Sequence, residues 1–180
     1  FELHEKFGSM PMSEILAPAI HYAQNGFPLT ELIAWYMHRT VPFFESKGFP
    51  NIEDTYKNQN GGKLPNEGEI YKNVYLANTY KKIAERGRDV FYKGEIAKTI
   101  GKFIKEQGGF LSFKDLASHK SEWVEPVSIN YRGYDVWELP PNGQGIAALQ
   151  MLKILEGYDF SNIEFGSTEH LHLFTEAKKL

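Results

Sequence analysis

The apolar residues of this chain change their spacing after Glu122, and that change commits it to a mixed α and β architecture. Before that point they recur three and four residues apart, which gathers them on one side of a helix. After it, Val127-x-Ile129-x-Tyr131 alternates, Arg132-Gly133 supplies a tight turn, and Tyr134-x-Val136 alternates again before Pro140-Pro141. Such a pattern predicts a β-hairpin. Helical spacing then returns over Ile146–Leu155, stopped at Gly157, and Ser167 is placed to cap a last helix. A helical block followed by a hairpin and two helices reads as α+β, or as a helical insert returning to a sheet core.

Within the helical block the punctuation is specific. Met12–Asn25 predicts a helix with Ile15, Leu16, Ala19, Ile20 and Ala23 inward and Gly26 as its stop, kinked or split at Pro18 because the ring clashes with the carbonyl four residues back. Thr30 caps a second helix that should end at Val41-Pro42, with Leu32, Ile33, Tyr36 and Met37 as its apolar stripe. From Ser46 to Tyr71 the pattern dissolves into turn chemistry such as Asn58-Gln59-Asn60-Gly61-Gly62, which reads as a long, mobile surface excursion. Asn73 caps a helix to Arg86 with Leu76, Tyr80, Ile83 and Ala84 inward, and Gly87 stops it. Glu95–Gln107 repeats the plan with Ile96, Ile100, Phe103 and Ile104, closed by Gly108-Gly109. Ser112 with Asp115 forms a near capping box. Residues 30–120 therefore read as all-helical.

Composition narrows the function classes. With 20 Lys+Arg against 23 Asp+Glu and a net charge of −3, the chain has no electrostatic footprint for nucleic acid or an anionic membrane. The absence of cysteine removes disulfides, thiolate zinc sites and thiol nucleophiles, and it fits an oxidising or a reducing compartment equally. No apolar run approaches the ~18 residues of a membrane span, and nothing resembles a signal peptide.

The chemistry-bearing residues do not converge. His170-x-His172 is the nearest approach to a metal signature, but residues two apart on a helix point to opposite sides. His21, His38 and His119 are isolated. Gly143-Gln144-Gly145 precedes a helix yet lacks the Lys-Ser/Thr of a P-loop and the third glycine of a dinucleotide fingerprint, so it reads as a turn. Glu14, Glu85 and Glu106 read as solvated charges. Arg132, in a tight turn beside Tyr131 and Tyr134, is placed for cation–π packing. No catalytic, cofactor-binding or metal-ligating residue is assigned on these grounds.

A series of short motifs, taken together and in order, resembles the large-subunit region of the gamma-glutamyltranspeptidase family. They are Pro18-Ala19-Ile20-x-x-Ala23-x-x-Gly26-Phe27, Leu76-Ala77-x-Thr79, Gly87-x-x-x-Phe91-Tyr92-x-Gly94-x-Ile96-Ala97, Gly108-Gly109 with Asp115-Leu116, and Pro126 with Tyr131-Arg132-Gly133-Tyr134-x-Val136 and Pro140-Pro141. Order and spacing agree from about residue 8 to 180. Each motif alone is weak, and all are folding signals rather than chemistry.

The resemblance implies a segment of an N-terminal-nucleophile hydrolase, an αββα sandwich made as a precursor that cleaves itself into large and small subunits. It implies residues 1–29 as a helical segment of the large-subunit core, 30–120 as a helical insert, and 121–180 as a hairpin and helices returning to the core. In that family a threonine at the start of the small subunit attacks a γ-glutamyl amide such as glutathione, and the glutamyl group passes to water, an amino acid or a peptide. No cofactor is implied. The partners implied are the rest of the large subunit, the small subunit and the small-molecule substrate. The threonine is expected downstream of Leu180 and the carboxylate-binding arginine upstream of Phe1, so this segment by itself is expected to be inactive and to self-associate through uncovered apolar faces. Its start inside a helical pattern at Phe1, and its end in Leu171–Leu180 without a stop signal, also read as a cut from a longer chain. Family members are commonly exported, but the compartment is not assigned. The loop Pro140-Pro141-Asn142-Gly143-Gln144-Gly145 departs from the proline- and serine-rich loop of glutathione-processing members and looks more like a branch with cephalosporin-acylase-like proteins. A glutaryl or cephalosporin acylase, or a non-catalytic helical interaction module, thus stay open at this point.

Overall fold

Short polar side chains begin the helices where the sequence puts them. Thr30 Oγ1 accepts from the Ile33 N–H at 3.5 Å, Asn73 Oδ1 from Leu76 N–H at 2.9 Å, Ser112 Oγ from Asp115 N–H at 3.3 Å and Ser167 Oγ from His170 N–H at 3.2 Å. Asp115 returns the bond to the Ser112 N–H at 2.8 Å, which completes the capping box with an aspartate. The computed structural model describes residues 1–179, in two units: Phe1–Lys120 and the part beginning at Ser121. Leu180, where the expected C-terminal pattern ends, lies outside the described residues.

The first unit runs α1 (Glu2–Phe7), α2 (Met12–Asn25), β1 (Phe27–Pro28), α3 (Glu31–Ser46), α4 (Ile52–Tyr56), a 3-10 turn (Asn58–Asn60), β2 (Ile70–Tyr71), α5 (Val74–Arg86), α6 (Arg88–Tyr92), α7 (Glu95–Glu106) and α8 (Phe113–Ser118). α2 lies along α5, and α7 packs on α6 and α8. Their closest approaches use small residues: Ala23, Ala77, Ala97 and Gly101 are buried. A Cβ on Gly101 would stand 2.6 Å from the Phe113 backbone nitrogen, so α7 and α8 touch with no side chain between them. The other inward candidates sit at the margins of these contacts. Leu16, Ile20, Tyr80, Ile83, Ala84, Ile96, Ile100 and Ile104 are half-buried, whereas Ile15, Ala19, Leu76 and Phe103 are exposed.

Both internal prolines are accommodated. α2 continues through Pro18 without splitting; Glu14, whose carbonyl loses its partner, is on the exposed side, where water can take the bond. α3 continues through Pro42 to Ser46 rather than stopping there. Ala34, Met37, Val41 and Phe44 extend one helical stripe across the proline, and that packing outweighs the ~3 kcal/mol a proline costs. Of the expected stripe Met37 lies on this buried side, whereas Leu32, Ile33 and Tyr36 are exposed. Ala34 joins Leu29 and Tyr71 in a cluster edged by Met37 and Tyr56.

The stretch from Ser46 to Tyr71 is a correction. It contains α4, the 3-10 turn and β2, and it is tied down. β2 pairs antiparallel with β1, Phe27 opposite Tyr71 and Pro28 opposite Ile70. Leu29 N–H donates to the Glu69 carbonyl at 3.0 Å, Gly68 N–H to the Leu29 carbonyl at 2.8 Å, and Lys72 N–H to Asn60 Oδ1 at 2.8 Å. Residues 30–120 thus hold a strand as well as helices. Gly26 (φ +88°) makes the pairing possible, because a Cβ there would lie 2.7 Å from the Tyr71 carbonyl oxygen.

The second unit contains β3 (Val127–Tyr131), β4 (Tyr134–Glu138), α9 (Gly145–Leu155) and α10 (Thr168–Lys178). β3 and β4 pair antiparallel from Val127–Glu138 to Tyr131–Tyr134. The two turn residues both have positive φ, Arg132 at 50° and Gly133 at 88°, the signature of the hairpin turn that matches strand twist. α9 packs on both strands and on α10, burying Leu149 and Leu155, and Ala177 is buried on α10.

Candidate functional site

Arg132 is the most heavily engaged cation of the second unit. A left-handed arginine is uncommon and requires outside support. Its backbone N–H donates to Glu156 Oε1 at 3.2 Å, its Nη2 to the Tyr158 carbonyl at 2.7 Å, and its guanidinium lies 5.3 Å from the Tyr131 ring and 5.2 Å from Phe160. The expected cation–π role holds, and it extends from Tyr131 to Phe160 rather than to Tyr134. The Lys153 ammonium and the Arg132 N–H hold the Glu156 carboxyl below its ordinary range. Each of these bonds ends on the protein itself. Arg132 clamps a turn.

The loop into α9 leaves no anion cradle. Gln144 is the N-cap without a side-chain bond, and Gly145 presses on Glu138, whose Oε2 would stand 2.6 Å from an added Cβ. The group at the positive end of the helix is therefore the protein's own carboxylate.

The histidines are dispersed. His21 Nδ1 accepts from Asn25 Nδ2 at 3.0 Å, His38 Nε2 donates to the Pro65 carbonyl at 3.2 Å, and His119 stacks on Tyr92 at 4.9 Å. His170 packs among Phe160, Phe165 and Phe174, with Nδ1 buried and without a hydrogen bond, while His172 Nδ1 lies 3.9 Å from Glu176. Among the described residues no three histidines, aspartates or glutamates group as metal ligands. No described helix is long and apolar enough to cross a membrane.

One concavity escaped the reading of the sequence. A groove of about 510 Å³ runs beside α3, lined by Ile33, Tyr36, Met37, Phe44, Phe49 and Tyr56 among others. Its signal was present in the aromatic residues of 33–56, but only the folding of 46–71 back onto α3 creates it. No histidine or carboxylate lines it, so its walls offer apolar contact and a few hydroxyls but no strong base.

The scaffold carries more identity than any of these sites. The family model for gamma-glutamyltranspeptidase matches residues 1–180. This chain belongs to the gamma-glutamyltranspeptidase family. A glutathione hydrolase-like YwrD proenzyme of Bacillus subtilis is 38% identical over 97% of the chain and 33% of its own length. The crystal structure of a cephalosporin acylase from Bacillus halodurans superposes with a TM-score of 0.86 at 39% identity, covering 99% of this chain and 33% of that one. The gamma-glutamyltranspeptidase of Helicobacter pylori also gives 0.86, at 28% identity, over 99% of this chain and 50% of that one. The chain spans about a third of the length of the curated relatives it matches. Family membership rests on the match over all of residues 1–180.

Proposed function

We propose that this chain is one segment of a γ-glutamyl transferase/hydrolase that works through a threonine acyl-enzyme. The observation that carries the reading is the match along all of residues 1–180 to proteins named as gamma-glutamyltranspeptidases and glutathione hydrolases. In this reading the threonine hydroxyl, activated by its own α-amine, attacks the γ-glutamyl carbonyl, expels the amine, and passes the acyl group to water or to an amino acid or peptide. The threonine and the arginine that grips the substrate carboxylate lie outside these 180 residues. Residues 1–29 and 121–180 belong to the αββα core and 30–120 form the helical insert. The rest of the large subunit and the small subunit are then the partners that complete the core. Trp137 and Leu139, at 61% and 66% exposure, are apolar side chains that such partners would cover.

The test uses a chromogenic γ-glutamyl anilide. The full-length parent should release the chromophore with saturation kinetics, and the 180-residue chain alone should release none. Saturable turnover by this chain alone overturns the assignment of the chemistry to the missing parts. The isolated chain should also self-associate and bind an apolar dye. A monomeric, dye-silent chain counts against uncovered core faces.

A second reading, a glutaryl or cephalosporin acylase on the same scaffold, is favoured by the 39% identity to the Bacillus halodurans acylase and by the Pro140-Pro141-Asn142-Gly143 loop. The ratio of kcat/KM on γ-glutamyl and glutaryl amides of the parent decides between the two.

A further inference from the structure

Asparagine followed by glycine is chemically fragile, because a residue without Cβ lets its backbone nitrogen swing onto the neighbouring carboxamide. The chain has three such pairs, Asn25-Gly26, Asn60-Gly61 and Asn142-Gly143. The fold treats them differently. Asn25 ends α2; its Nδ2 donates to His21 at 3.0 Å, and the Gly26 N–H is committed to the Tyr22 carbonyl at 2.9 Å. Attack by that nitrogen requires the helix end to open and Gly26 to turn against Tyr71. Asn60 is held at three points. Its Oδ1 accepts from Lys72 N–H at 2.8 Å, and its Nδ2 donates to the Tyr56 and Lys72 carbonyls at 3.3 and 3.4 Å.

Asn142 has no such restraint. Asn142 and Gly143 are both exposed in the turn between Pro141 and α9. Among the described residues no hydrogen bond engages the Asn142 side chain or the Gly143 N–H, and a Cβ on Gly143 would meet nothing within 4 Å.

We propose that Asn142 is a site of spontaneous deamidation that the fold leaves competent while it protects Asn25 and Asn60. The Gly143 nitrogen attacks Cγ of Asn142; the N–Cγ bond forms, the Cγ–Nδ2 bond breaks, and ammonia leaves with the proton given up by the glycine N–H. Water then opens the cyclic imide at either carbonyl, leaving aspartate or isoaspartate at position 142. One water is consumed and one ammonia released, so solvent is the only co-reactant. The product is one unit more negative than the −3 of the unmodified chain. That charge arises just before α9, whose first turn the Glu138 carboxylate already faces beside Gly145. In the isoaspartate form the main chain into α9 is longer by one methylene.

The test follows the purified 180-residue chain in mildly alkaline buffer, native and in denaturant, by peptide mass after digestion and by isoelectric focusing. In native buffer the Asn142 peptide should convert roughly tenfold or more faster than the Asn25 and Asn60 peptides, because those sites must first open locally. In denaturant the three rates should converge. Gly143→Ala, at an open position outside the left-handed region, should slow Asn142 several-fold and leave the other two sites unchanged. Equal native rates, faster loss at Asn25 or Asn60, or an Asn142 advantage that persists unchanged in denaturant would each overturn the proposal.

Discussion

The two small sheets make contrasting use of the same backbone pairing. β3 and β4 are joined by only Arg132 and Gly133, pair over five residues each, and derive their register from that turn. β1 and β2 are separated by all of α3 and α4, pair over two residues each, and are held by what surrounds them: the buried Tyr71, the close approach at Gly26 and the Asn60 clamp on Lys72. A local sheet carries its instructions in its turn. A non-local one borrows them from packing, and it bears the larger loop-closure entropy for doing so.

That contrast can be broken most forcefully at Tyr71. Tyr71→Ala removes a buried ring stacked 6.4 Å from Tyr56 and edge-on to Phe27, and should cost about 3–5 kcal/mol in denaturant unfolding, comparable to a large aromatic truncation. A loss under about 1 kcal/mol would mean that the non-local sheet does not depend on its core. Gly133→Ala tests the local sheet. Nothing lies within 4 Å of the added Cβ, so the cost is the left-handed backbone alone, about 1–2 kcal/mol, read as lost amide protection across Val127–Glu138. Asn60→Ala should cost about 1 kcal/mol and loosen β2 first, seen as faster exchange of the Lys72 amide. The smallest effect is electrostatic. Glu69, held by the Asn66 N–H, and Glu156, held by Lys153 and the Arg132 N–H, both have carboxyls lowered from their ordinary value. A lowered folded-state pKa stabilises above the unfolded value and loses that contribution as pH falls through the folded one. Acid titration of unfolding below pH ~4 should therefore be flatter in Glu69→Gln and in Glu156→Gln than in the parent sequence.

The same contrast explains how much was legible beforehand. Caps, stops and the hairpin depend on residues a few positions apart, so Thr30, Asn73, Ser112, Ser167 and Arg132-Gly133 announced themselves. Inward faces were read less well: Ala23 of α2 is buried as expected, but on α5 and α7 hydrophobicity picked the large residues while the tight contacts went to Ala77, Ala97 and Gly101. The run through Pro42 and the folding of 46–71 were not legible, since both rest on partners distant in sequence: the stripe from Ala34 to Phe44, and Leu29 meeting Gly68 and Glu69. The groove beside α3 was hidden for the same reason. At the family level, an ordered series of stops and turn motifs resembled the family that the match over residues 1–180 shows.

The crossing at Gly101 has a consequence for anyone altering this protein. Most helix contacts forgive a change of residue, because a neighbouring rotamer moves aside. Here the obstacle is main chain, so a single methyl must act as a wedge between α7 and α8, and no choice of surrounding side chains can make room for it. The gap between those two helices is a fixed gauge, and redesign of either one has to start from that distance.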